Sequence, residues 1–159
     1  MTTQVIGVDV TQVDTSELFE PGTRHISDDG KTYQYIKILN ETATVAGVAG
    51  DPVAYLGSPG ATEYYTGVLD CTDAATKPVC AGVLAASVSG VPGTAEYAWL
   101  QITGIVAINE DLAGTTPADG DAVYLSTTDK TLTLAAAVDD PICAHIVDDS
   151  AGLVRLCCV

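Results

Sequence analysis

The sequence after residue 30 contains three blocks that each occur twice, in the same order. In pairs, they are YQYIKIL (33–39) and YAWLQIT (97–103), GDPVAYL (50–56) and GDAVYL (120–125), and KPVCAGVL (77–84) and DPICAHIV (140–147). The members of these pairs are separated by 64, 70 and 63 residues, and three ordered matches at similar offsets indicate an internal repeat. The sequence therefore predicts two copies of one small unit, over residues 31–92 and 93–159. The segment LVRLCCV (153–159) fits either the opening strand of a truncated third copy or the strand that closes the second.

Each repeated block has the features of a β-strand. The first block alternates in character, the second follows a Gly-Asp turn signal, and the third follows a proline, which strands tolerate at their start. β-branched residues and glycine are abundant, whereas the long side chains that favour helices are scarce. The sequence predicts an all-β fold, a β-barrel or sandwich built from the two repeated units, with an extended N-terminal arm over residues 1–30. We expect an added loop around 64–76 in the first copy, and a short helix fits only at 71–76 or 109–114.

Charge and composition exclude several classes of protein. The chain of 159 residues has a net charge of −15, yet 47% of its residues are hydrophobic, a fraction that a disordered acidic chain does not reach. Six scattered cations cannot neutralise a row of phosphates, so we expect no nucleic-acid partner. The sequence lacks both an apolar run long enough to cross a membrane and a signal-peptide pattern, so we expect no membrane partner and synthesis in the cytoplasm.

The cysteine count also indicates synthesis in the cytoplasm. Five cysteines without a signal peptide suggest reduced thiols, and Cys80 and Cys143 lie in apolar strand patterns typical of core residues. No CxxC pair occurs, so we expect no zinc site and no other metal or cofactor.

The sequence shows no catalytic constellation. Ser27, His25 and Asp28 are neighbours in one predicted turn, and no nucleophile elbow accompanies them. His145 lies in an alternating strand pattern, where a structural role is the simpler interpretation. The acidic pairs, which are Asp28-Asp29, Asp139-Asp140 and Asp148-Asp149, lack the spacing of a calcium loop. The sequence therefore predicts a protein that is not an enzyme.

The aromatic strand at 97–103 leaves two interpretations open. In a strand, Tyr97 and Trp99 share one face, and Ala98 and Leu100 share the other. If the aliphatic face is the core, the aromatic face points to a second layer, a subunit interface or a ligand. If the aromatic face is the core, it carries no function. The interface interpretation makes Tyr97 and Trp99 candidate partner-binding residues, and the tyrosines of the first copy pose the same question.

The motifs GDAVYL, KTLTLA (130–135), PICAHIV and GLVRLCCV, preceded by YAWLQITG, resemble a family pattern. They are similar, over about 97–159, to the C-terminal pattern of tailed-bacteriophage capsid decoration (cement) proteins and related phage head structural proteins. The internal repeat extends the similarity weakly to 33–92.

The resemblance implies a non-enzymatic structural protein of the virion. It would bind the outer surface of a phage capsid, where subunits of the major capsid protein meet, and stabilise the shell. It also implies a homo-oligomer, with a trimer favoured. The alternative is a β-rich receptor- or glycan-binding module of a phage fibre or spike.

Within this hypothesis, the N-terminal arm is the candidate contact. It holds the only phenylalanine, Phe19, together with Arg24 and His25, and it has no counterpart in the repeat. An arm outside the core can become ordered when it binds a partner. The alternative is an arm that folds back on its own barrel.

Overall fold

The computed structural model of the chain describes residues 7–56, 65–71, 79–108, 116–134 and 141–158. These residues contain eleven β-strands and no helix, which confirms the all-β prediction. The strands are β1 (Val13–Asp14), β2 (Arg24–Ile26), β3 (Thr32–Ile38), β4 (Pro52–Tyr55), β5 (Thr66–Val68), β6 (Cys80–Leu84), β7 (Glu96–Ala107), β8 (Ala122–Leu125), β9 (Leu132–Thr133), β10 (Ile142–Asp148) and β11 (Leu153–Cys157). Apart from Cys71, the two helix positions considered from the sequence lie outside the described residues.

Five strands form a closed barrel. Strand β3 pairs with β5 in parallel, and the antiparallel pairs β5–β4, β4–β6, β6–β7 and β7–β3 complete the circuit. Most inward side chains are aliphatic, and Ile36, Val53, Val68 and Leu100 are fully buried. This agrees with the prediction of an all-β barrel or sandwich, and a closed barrel leaves no free strand edge among its members.

Strand β5 corrects the prediction of a loop around 64–76. All three of its residues are buried, because β5 lies between β4 and β3 and closes the barrel. A Cβ atom on Gly67 would lie 2.6 Å from side-chain atoms of both Ile36 and Val53, so only glycine permits this close approach. Three residues are too few to show an alternating pattern, and for this reason the sequence did not reveal the strand.

The strand pairings repeat in the same way as the sequence blocks. In the first unit, β4 pairs with β5 and β6, β6 pairs with β7, and β7 pairs with β3. In the second unit, β8 pairs with β9 and β10, β10 pairs with β11, and β11 pairs with β7, all antiparallel. Strand β7 thus closes the first unit and opens the second, and β11 occupies in the second unit the place that β7 has in the first.

The two units are therefore parts of one continuous sheet. Strands β3 and β6, before residue 93, both pair with β7, which lies after it. The units differ in one respect: β5 pairs with β3, but β9 has no pairing with β7 in the described part of the chain. The second unit is accordingly not closed in the same way as the first.

The described part of the predicted arm, residues 7–30, joins the sheet at two places. Strand β1 pairs with β7, where Val13 lies opposite Ala98. Strand β2 pairs with β3, where His25 lies opposite Tyr33. We call residues 7–30 the N-terminal segment. It has the folded-back arrangement that the sequence left open.

No helix that this structure describes is long and apolar enough to cross a bilayer.

Candidate interaction surface

An aromatic cluster lies on the outer face of the β3–β7 pair. The register places Tyr35 opposite Trp99 and Lys37 opposite Tyr97, so the three rings share one face. The ring centroids of Tyr35 and Trp99 are 5.2 Å apart, and those of Tyr35 and Tyr97 are 6.0 Å apart and stacked. The alternate residues of both strands, including Ile36 and Leu100, belong to the barrel core. The aliphatic face is therefore the core, and the aromatic face points to a second layer.

The N-terminal segment provides this second layer. The ring of Phe19 packs edge-on against Tyr35 with 5.3 Å between centroids, and lies 5.5 Å from Trp99. The ring of His25 lies 6.2 Å from Trp99. Only 2% of Trp99 is exposed as a result. Four of the five candidate residues thus come together in one cluster, namely Phe19, His25, Tyr97 and Trp99.

A buried hydroxyl anchors the segment beside this cluster. The Tyr35 hydroxyl donates a hydrogen bond to Asp14 Oδ2 at 3.0 Å and accepts one from the Leu18 backbone N–H at 3.4 Å. Burial is the main cause that raises the pKa of Tyr35 to about 12; the Leu18 bond acts against the rise, and the Asp14 bond adds to it. The hydroxyl therefore keeps its proton and its bond to Asp14 at neutral pH.

Arg24, the fifth candidate residue, points away from the cluster. On β2, His25 faces Trp99, whereas Arg24 and Ile26 are exposed. Ile26 is 70% exposed and Leu18 is 56% exposed, the two highest values among the large hydrophobic residues that are described. We call Leu18, Arg24 and Ile26 the N-terminal surface. Sequence reasoning missed Leu18 and Ile26, although strand alternation at 24–26 places Ile26 on the same face as Arg24.

The residues considered for catalysis make structural contacts instead. The Ser27 hydroxyl is hydrogen-bonded to Asp29 and lies 3.1 Å from the Lys31 carbonyl oxygen, within one turn. His25 packs against Trp99. His145 is an exposed strand residue opposite Arg155. Ser27 and His25 thus contact different residues.

One acidic group comes together through the fold. Carboxylate oxygens of Asp119, Asp148 and Asp149 lie within 4.8 Å of one another, so the sequence pair Asp148-Asp149 gains a third acid from the loop before β8. The Asp148 carboxylate accepts hydrogen bonds from Ser150 Oγ and the Ala151 N–H, which lower its pKa. The group is exposed in part, and its hydrogen bonds order the turn between β10 and β11.

The prediction that Cys80 and Cys143 are core residues is confirmed, since both side chains are buried. Cys158 joins them in the core, whereas Cys157 is exposed.

No family model matches this chain, and no curated protein or solved structure is significantly similar to it.

Proposed function

We propose that this chain is a non-enzymatic structural protein that binds the outer surface of a phage capsid and stabilises the shell at subunit junctions. Its partner is the major capsid protein, its place is the virion surface after synthesis in the host cytoplasm, and it acts as a homo-oligomer, with a trimer favoured. The proposal starts from the family resemblance of residues 97–159, and one feature of the fold supports it further.

That feature is the N-terminal surface. The most exposed large hydrophobic side chains described, Ile26 and Leu18, both lie on the segment that the sequence nominated as the contact. Exposed aliphatic side chains gain free energy when a partner removes them from water, by about 25 cal/mol for each Å² that is buried. Arg24 lies beside Ile26 on the same face, and arginine is enriched at interface cores. The surface combines an apolar contact with a cation in a chain of net charge −15.

The physical role fits a rigid, acidic β-protein. A decoration protein stabilises a shell because it binds the assembled form and not the dissociated subunits, so its binding free energy adds to the stability of the assembly. The excess of negative charge keeps particles that carry many copies dispersed in solution. Neither property needs a catalytic group.

The alternative is a glycan-binding module, and the position of Trp99 gives it less support. Sugar rings stack on accessible aromatic faces, but Phe19 and His25 cover Trp99. A glycan titration that changes the fluorescence of Trp99 in the intact chain would favour this alternative.

The test is co-sedimentation of the purified chain with genome-filled capsids of the phage that encodes it. We expect saturable binding at a copy number comparable to that of the major capsid protein. Ile26→Ser should weaken binding about 10-fold, which corresponds to about 1.4 kcal/mol and is typical of a buried interface residue. The matched control is Ile142→Ser, because Ile142 is 44% exposed on β10, in the second unit.

Two results would refute the proposal. One is an absence of binding to filled capsids. The other is a copy number of only a few per particle, which indicates a tail or spike component. Equal losses of affinity in Ile26→Ser and Ile142→Ser would move the contact away from the N-terminal surface.

A further inference from the structure

Three thiols meet in the core between the two units. The Sγ atoms of Cys158 and Cys80 are 3.4 Å apart, and the Cys158 Sγ also lies 3.6 Å from the Cys143 carbonyl oxygen. The Cys143 Sγ lies 3.1 Å from the Val123 carbonyl oxygen. All three side chains are buried. Cys80 and Cys158 therefore have their sulfur atoms in direct contact.

The shared strand β7 explains why residues so distant in sequence meet. Thr103 on β7 lies opposite both Thr32 of β3 and Cys157 of β11, so β3 and β11 lie on opposite edges of β7. Gln101 lies opposite both β3 and β6, so β6 is on the edge that β11 also uses. The chain beyond Cys157 therefore runs toward β6, which begins at Cys80.

The hydrogen bonds of the cluster single out one sulfur. Hydrogen bonding with Cys143 and Cys158 lowers the pKa of Cys80, whereas the hydrogen bond with Cys80 and burial raise the pKa of Cys158. Cys80 is thus the first of the three to ionise, and thiolates are the nucleophiles in thiol oxidation. Cys158 is in contact with Cys80 and is placed to act as the resolving thiol.

We propose that Cys80 and Cys158 form an intramolecular disulfide when the protein meets a small peroxide. This is a modification site that joins the two units covalently, and it is independent of the proposed function. The Cys80 thiolate attacks one peroxide oxygen, the O–O bond breaks, and the departing hydroxide takes a proton and leaves as water. The Cys158 sulfur then attacks the resulting sulfenic sulfur, the S–O bond breaks, and a second water leaves with the Cys158 proton. Two electrons pass from the two sulfurs to the peroxide.

This disulfide would link β6 covalently to the residue that follows β11. In the reduced protein, the thiols pack as small core residues. Oxidised, they close a loop of 77 intervening residues between Cys80 and Cys158, which restricts the unfolded chain strongly. For a domain of this size, the midpoint of thermal unfolding should rise by roughly 10 °C. A reductant should reverse the rise.

The experiment treats the purified, reduced chain with hydrogen peroxide and follows intact mass, a non-reducing peptide map and thermal unfolding. We expect a loss of two hydrogen atoms, a cross-linked peptide that contains Cys80 and Cys158, and the higher midpoint. Cys158→Ser should lose the cross-link. The matched control is Cys157→Ser, which removes the exposed neighbouring thiol and should keep it.

The peptide map of the unsubstituted chain decides the matter even if Cys158→Ser does not fold. A link between Cys80 and Cys143, or a link through Cys157, would overturn the proposal. So would peroxide treatment that oxidises Cys157 while Cys80 and Cys158 stay unlinked. A Cys80–Cys158 link with no effect on capsid binding leaves the proposed function unchanged, because the two proposals rest on different residues.

Discussion

The packing of Phe19 over the only tryptophan makes the N-terminal segment directly testable. Phe19→Ala removes a ring that contacts both Tyr35 and Trp99. Buried Phe→Ala substitutions cost about 3–5 kcal/mol, and because Phe19 is half-buried we expect about 2–3 kcal/mol. With a slope of about 2 kcal/mol/M, the urea midpoint should fall by roughly 1 M. The emission of Trp99 should shift to the red, because its 2% exposure depends on this ring.

Leu18→Ala is the matched control for this substitution. Leu18 is adjacent in sequence but 56% exposed, so its truncation should cost no more than about 0.5 kcal/mol and leave the emission of Trp99 unchanged. If Phe19→Ala has the emission maximum and the urea midpoint of the unsubstituted chain, the segment does not pack over Trp99. The account of the second layer would then be wrong.

Three further predictions concern buried polar and backbone sites. Asn40→Ala should cost about 4 kcal/mol in urea unfolding, because the Asn40 amide makes four hydrogen bonds to three loops in a fully buried position. Gly90→Ala should lower the free energy of unfolding by more than about 3 kcal/mol, because its Cβ would lie 1.9 Å from the Val45 carbonyl oxygen. The control Gly93→Ala, with φ of 70° and no atom within 4 Å, should lower it by about 1 kcal/mol. Thermal unfolding of the two variants separates these outcomes, and equal losses would contradict the close contact. Because burial raises the pKa of Tyr35 from 10.0 to about 12, the contribution of its protonated hydroxyl to stability is complete below pH 10 and is lost as the pH rises toward 12. Over this pH range, the free energy of unfolding in urea should decline less in Tyr35→Phe than in the unsubstituted chain. An equal decline in the two proteins would contradict the assignment.

The sequence was sufficient for the strands that repeat. Blocks 33–39 and 97–103 correspond to β3 and to the first part of β7, because an alternating pattern with aromatic and β-branched residues is a strong local signal. The prolines before β6 and β10 also marked strand starts correctly. The two faces of the aromatic strand were separated correctly too, although alternation alone could not say which face is the core.

The features that the sequence did not reveal depend on contacts between distant residues. Strand β5 is recognisable only from its two neighbours, and the position of the N-terminal segment depends on the edges that β3 and β7 offer it. Leu18 lies in an irregular stretch, where exposure follows from how the segment turns, and Ile26 lies on a strand of three residues, which is too short to be recognised from periodicity. The Cys80–Cys158 contact joins residues 78 positions apart and depends on β6 and β11 lying along the same edge of β7.

The two units meet at a position where the two copies of the repeat differ in sequence. At the offset of 64, Asn40 of the first copy corresponds to Gly104 of the second. Asn40 lies two residues after the end of β3 and is hydrogen-bonded to three loops, whereas Gly104, with φ of 93°, lies within β7, which continues past the point where β3 begins. One position earlier, Thr103 pairs with strands on both edges. The Gln101 side chain then donates to the carbonyl oxygens of Thr103 and Ile105, which covers the edge that β3 no longer pairs. Because β7 continues past Gly104, strands that precede residue 93 and strands that follow it pair with the same β7 and form one sheet.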